Sequence, residues 1–116
     1  MTIDKLITLK TREINLNPDL IQLWDKIVNL PDVKENTVGK IISPAVANSY
    51  IGNFYGLLGN ELNLPEDAFY PTLLVNNLRN PVDYSGSEII YIISPDVFEK
   101  YHTLIKEKIS LEESLQ

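Results

Sequence analysis

The sequence contains no cysteine and a single histidine. The first absence excludes disulfide scaffolds, thiolate zinc sites and thiol nucleophiles. The second leaves His102 without a second imidazole with which to build a metal site. No apolar run reaches the roughly 18 residues of a membrane span. Positive charge is also scarce: ten Lys and Arg stand against sixteen Asp and Glu, for a net charge of −6. That balance argues against binding to nucleic-acid phosphates and to anionic membrane surfaces. The stretch MTIDKLITLKTREINL has acidic residues and no small-residue cleavage site, so it does not read as a signal peptide.

What remains is an ordinary globular composition. The chain has 116 residues, 44% of them hydrophobic, which suits one domain with one core. Residues 3–16 alternate apolar and polar. Ile7 and Leu9 share one parity and Ile14 and Leu16 the other, so a single strand would need a one-residue slip between them. Residues 1–16 are therefore expected to form an extended arm or strand, 17–109 a globular α+β domain, and 110–116 a tail.

Three helix starts share one grammar, a polar cap followed by proline: Asn17-Pro18, Ser43-Pro44 and Ser94-Pro95. Helix one is predicted over 18–29, with Leu20, Ile21, Trp24, Ile27 and Val28 on one stripe. Residues 31–40 read as a polar loop. Helix two is predicted from Pro44 to about Tyr55-Gly56, with a loop through Asn63. Helix three falls within 66–78 and stops at Asn80-Pro81. Residues 88–93, EIIYII, read as a strand covered on both faces. Helix four starts at Pro95, with Val97, Phe98, Tyr101, Leu104, Ile105 and Ile109 facing inward.

Little of this carries chemistry. His102 lies beside the helix-four stripe and reads as a surface or boundary residue. The acidic pairs Glu66-Asp67 and Glu112-Glu113 read as a first-turn dipole complement and as solvated charge. No serine sits in a nucleophile elbow, and GNFYGLLG lacks the lysine of a phosphate loop. No catalytic residue, metal or cofactor is expected. Asn76, Asn77 and Asn80 suit a helix end and the turn into the strand, since asparagine bonds loop backbone and accepts left-handed angles.

The segments YIGNFYGLL and FYPTLLVNNLRNPVDYSGSEIIYIISPDVFEKY, within about residues 45–105, resemble the small baseplate wedge proteins of contractile-tailed phages and their LysM-like relatives. Tyr55-Gly56 matches a helix ending in Tyr-Gly. Phe69-Tyr70 stands for an aromatic pair, Asn76-Asn77 for the asparagines, and Asn80-Pro81 for the stop. Gly86 and residues 89–93 match the loop and strand. The resemblance implies a LysM-like helix–helix–strand core, its sheet completed by the amino-terminal strand, with flanking helices. It further implies a structural adaptor of a tail or baseplate. Such an adaptor would be carried in the virion, in several copies around a symmetric assembly, touching other tail or baseplate proteins. A LysM-type peptidoglycan-binding module, with Asn76, Asn77 and Tyr84 beside a shallow groove, is the alternative. The residues expected to meet partners are Leu6, Ile7, Leu9, Ile14, Leu16, Phe69, Tyr70 and Tyr84.

Overall fold

A computed structural model describes residues 18–114. Four of its six described helices begin at a proline, whose missing N–H has no helical partner to lose at that position. These are α1 (Pro18–Ile27), α2 (Pro31–Glu35), α3 (Pro44–Ser49) and α6 (Pro95–Ser114). Between α3 and α6 lie α4 (Phe54–Asn60) and α5 (Phe69–Val75). Two strands, β1 (Thr37–Ile41) and β2 (Ile89–Ile93), pair antiparallel with Gly39 opposite Tyr91. The fold is α+β, as the sequence predicts.

Several boundaries differ from the sequence reading. The polar loop predicted over 31–40 is instead α2 followed by β1. The sheet partner of β2 therefore comes from residues 37–41, and the amino-terminal residues 1–16 lie outside the described residues. Helix two is two helices. Its first part ends at Ser49, and Gly52 adopts φ +79°, a left-handed angle that glycine reaches without steric cost. The Gly52 N–H donates to the Tyr84 carbonyl at 2.8 Å, which fixes the break against the loop before β2. Asn53 then caps α4 by accepting from Gly56 N–H at 3.1 Å. Gly56 thus sits in the first turn of a helix rather than ending one. The tail expected from residue 110 is instead a continuation of α6 to Ser114.

Two apolar clusters form the core. One gathers Phe54, Leu57, Leu58, Phe69, Leu73, Tyr84 and Ile90. The other gathers Trp24, Val33, Ala68, Ile93, Phe98 and Ile105. Successive strand residues face opposite ways, so Ile90 and Ile93 reach the two clusters from opposite faces of β2. Leu104, expected in the α6 stripe, is exposed, and His102 takes the inward place. His102 stacks on Phe98, which stacks on Trp24, with ring centroids 5.1 and 5.5 Å apart. Its Nε2 lies 3.4 Å from Asp67 Oδ2. The histidine is thus a core residue at the edge of the second cluster.

Asp32 joins α2 to α6. Lys100 Nζ and the Tyr101 hydroxyl each donate to its Oδ2 at 2.9 Å. The Lys100 bond first, then the Tyr101 bond, holds the Asp32 carboxyl below its ordinary value of 3.8. A carboxylate whose folded pKa is depressed stabilises the fold above its unfolded pKa, and that stabilisation fades as pH falls through the folded value. Asp32→Asn should therefore flatten the acid limb: between about pH 4 and pH 2 its urea midpoint should fall less steeply than that of the wild type. Parallel midpoint curves for the two proteins would refute the role.

Candidate functional site

A two-stranded sheet has two outer edges, and each presents unpaired backbone groups unless something covers it. The register determines which groups these are. Ile42 N–H donates to Glu88 O at 2.8 Å, and Ser94 N–H to Asn36 O at 2.8 Å. Hydrogen-bonded pairs alternate along an antiparallel ladder. The even residues of β1 therefore bond to β2, and Thr37, Gly39 and Ile41 point their backbone groups outward. On β2 the outward set is Ile89, Tyr91 and Ile93.

The β2 edge is closed at two of its three outward residues. The Asn76 side chain accepts from Tyr91 N–H at 2.8 Å and donates to Tyr91 O at 2.8 Å. It makes the same two bonds that a residue of a third strand would make. Its amide also donates to Thr72 O at 2.7 Å, which ties the arrangement to α5. At Ile89, the Ser87 hydroxyl donates to the carbonyl at 3.1 Å and accepts from the N–H at 3.4 Å. Asn76 is the C-cap of α5, and Asn77 at φ +59° turns the chain out of the helix after it.

The β1 edge is different. Among the described residues, the outward backbone groups of Gly39 and Ile41 have no hydrogen-bond partner. Around them Val38 (64%), Ile41 (79%), and Ile89 and Tyr91 (45% each) are exposed, as is the charged Lys40 between Gly39 and Ile41. Ile41, Ile89 and Tyr91 share one face of the sheet with Gly39. A Cβ on Gly39 would lie 3.1 Å from Ile89 Cγ2 and 3.3 Å from Tyr91 Cε1, so the absent side chain lets Tyr91 lie across β1. The strand expected to be covered on both faces is thus open on one, except at Ile93.

A separate shallow groove of about 450 Å³ lies between the start of α3 and the loop before β2. Pro44, Ala45, Asn48, Ser85, Gly86 and Glu88 line it. Gly86 lies there at φ +98°. Among the described residues no three His, Asp or Glu side chains gather as a metal ion would need, and no described helix is long and apolar enough to cross a membrane.

The aromatic residues expected at a partner surface lie elsewhere. Phe69 and Tyr84 are buried in the first cluster, where Tyr55 stacks on Phe69 at 5.2 Å and Phe54 packs on Tyr84 at 5.3 Å. The Tyr84 hydroxyl donates to Ser87 O at 2.6 Å, inside the loop rather than into a groove. Tyr70 is half-buried and donates to Asp25 Oδ1 at 2.7 Å; burial, then that bond, pushes its pKa upward. Phe69 and Tyr84 pack among Leu57, Leu58, Leu73 and Ile90 in the first cluster. Asn80 and Pro81 open a 3₁₀ turn over Pro81–Asp83. Leu6, Ile7, Leu9, Ile14 and Leu16 lie outside the described residues. The exposed residues of β1 were missed in the sequence because TVGKI has no buried alternation; the signal available was two apolar residues, Val38 and Ile41, inside a polar run.

No family model, curated protein or solved structure matches the chain.

Asn76→Ala should lower stability by about 1–3 kcal/mol, because it strips both backbone groups of Tyr91 of their partner. Thermal unfolding of the variant measures this. A midpoint equal to the wild type would show that water replaces the amide at no cost.

Proposed function

We propose that this chain is a structural adaptor that docks by strand addition at the β1 edge. The observation that carries the reading is the contrast between the two edges: side chains occupy the outward groups of Tyr91 and Ile89 on one, while those of Gly39 and Ile41 have no hydrogen-bond partner among the described residues on the other. An extended segment added there gains backbone hydrogen bonds, and the flanking Val38, Ile41 and Tyr91 add apolar area. The sequence resemblance to baseplate wedge and LysM-like tail proteins supports a setting in a phage tail or baseplate, where copies of one chain meet other tail proteins. A net charge of −6 suits protein partners better than nucleic acid.

Ile41→Pro tests the reading. Proline removes an outward N–H while leaving the bonds of Lys40 and Ile42 to β2 in place. In particles assembled with the variant as sole source of this chain, its incorporation should fall by about tenfold or more, the loss of roughly 1.4 kcal/mol of docking energy. Full incorporation would overturn strand addition.

A second reading is a LysM-type module that binds peptidoglycan; the groove beside α3 is its candidate surface, and Asn76, Asn77 and Tyr84 do not line it. Pull-down on purified peptidoglycan separates the two. Saturable binding that is lost in Asn48→Trp would support the glycan module; no binding would leave the adaptor.

A further inference from the structure

We infer that His102 is an acid-sensitive latch: it sits in the second cluster as a neutral ring, and a second proton drives it out and loosens α6 from the turn that leads into α5. The chain has one histidine and no cysteine. His102 is therefore the one side chain whose ordinary titration falls between about pH 5 and pH 8. The fold places that side chain inside. It is 7% exposed, and neither Nδ1 nor Nε2 has a hydrogen-bond partner among the described residues. Buried polar groups left without partners are few in folded proteins.

A neutral imidazole carries one N–H and one acceptor nitrogen, whereas the imidazolium carries two N–H groups and a charge. The second proton thus adds a donor to a ring whose nitrogens have no acceptor in place. It also sets a charge at the edge of a cluster whose other buried members are apolar. Asp67 offers a partial offset from a 3₁₀ turn over Glu66–Ala68. Its Oδ2 lies 3.4 Å from Nε2, longer than a charge-assisted bond, and its side chain is 65% exposed, so water screens the pair. Phe98, stacked at 5.1 Å, attracts a cation through its face, but that attraction is small beside the hydration the buried charge gives up.

The other charged groups on the elements around the ring are exposed or engaged. On α6, Glu99 and Lys106 lie one turn to either side, exposed and opposite in sign. Glu66 is exposed beside Asp67. On α2, Asp32 accepts from Lys100 and Tyr101, and Lys34 and Glu35 are exposed. On α1, Asp25 accepts from Tyr70, and Asp19 and Lys26 are exposed. The released ring, in water, takes the proton that the seated ring has no acceptor to support. The open form therefore holds more protons, so closing is favoured as pH rises and weakened as pH falls. Opening uncovers one face of Phe98 and removes the contact between α6 and Asp67, which precedes Ala68 of the same cluster and the start of α5 at Phe69.

Hydrogen exchange at the Ile105 and Ile109 amides of the full-length chain, corrected for the intrinsic rate at each pH, measures the opening of α6. A released imidazole of ordinary value, about 6.5, favours the open form by up to about tenfold between about pH 7.5 and pH 5.5. The wild-type opening constant should rise by about three- to tenfold over that window, the shortfall from tenfold being what Asp67 returns. The window lies above the one in which Asp32 acts. His102→Phe keeps a ring on Phe98 without a proton to bind, so its opening constant should stay level. Asp67→Asn, changed at an exposed position that leaves the core intact, should rise further than the wild type. A level wild-type profile, an equal rise in His102→Phe, or a smaller rise in Asp67→Asn than in the wild type would overturn the latch. None of these outcomes bears on docking at the β1 edge, which Ile41→Pro tests separately.

Discussion

The Asn76 carboxamide bonds both backbone groups of Tyr91, and much of the molecule is arranged around that clamp. A two-stranded sheet must satisfy backbone groups along two edges, and a small domain has few elements with which to cover them. Here α5 lies beside β2 and ends at Val75, and its C-cap residue Asn76 reaches the strand. Ser87 serves Ile89 in the same way. Two of the three outward positions on the β2 edge, Tyr91 and Ile89, are therefore closed by short side chains.

The same strand divides the core. Ile90 faces the cluster of α4 and α5, and Ile93 faces the cluster of α1 and α6. Tyr70 packs against both clusters and bonds to Asp25. The stack of Trp24, Phe98 and His102 and the Asp32 bonds to Lys100 and Tyr101 hold α1, α2 and α6 together at one end. This bracing leaves the β1 side free of structural duty. Its exposed apolar residues contribute little to the core, which is why they suit contact with another strand.

Some of this was legible in residues alone. Proline after a polar residue marked the starts of α1, α3 and α6, because a missing N–H does no harm in a first turn. Asn76 and Asn77 were readable as the end of α5 and the turn toward β2, because asparagine bonds backbone and accepts positive φ. Other features were not legible. The strand over Thr37–Ile41 has four exposed residues and one half-buried one, so no apolar period announces it. The break at Gly52 depends on the Tyr84 carbonyl, which lies 32 positions away in sequence. The tyrosines and phenylalanines looked too many for the interior, yet Phe69 and Tyr84 are inside, stacked or packed against Tyr55 and Phe54.

Local chemistry in the chain determined where most helices begin, that α-helix and strand would mix, and that no thiol chemistry is available. Those properties depend on neighbours within one turn or on residue type alone. The tertiary structure decided which strand pairs with β2, which of its edges is sealed, and that His102 lies inside. Each of those outcomes depends on groups far apart in sequence meeting at hydrogen-bonding or van der Waals distance, and no period of 2 or 3.6 residues encodes such a meeting.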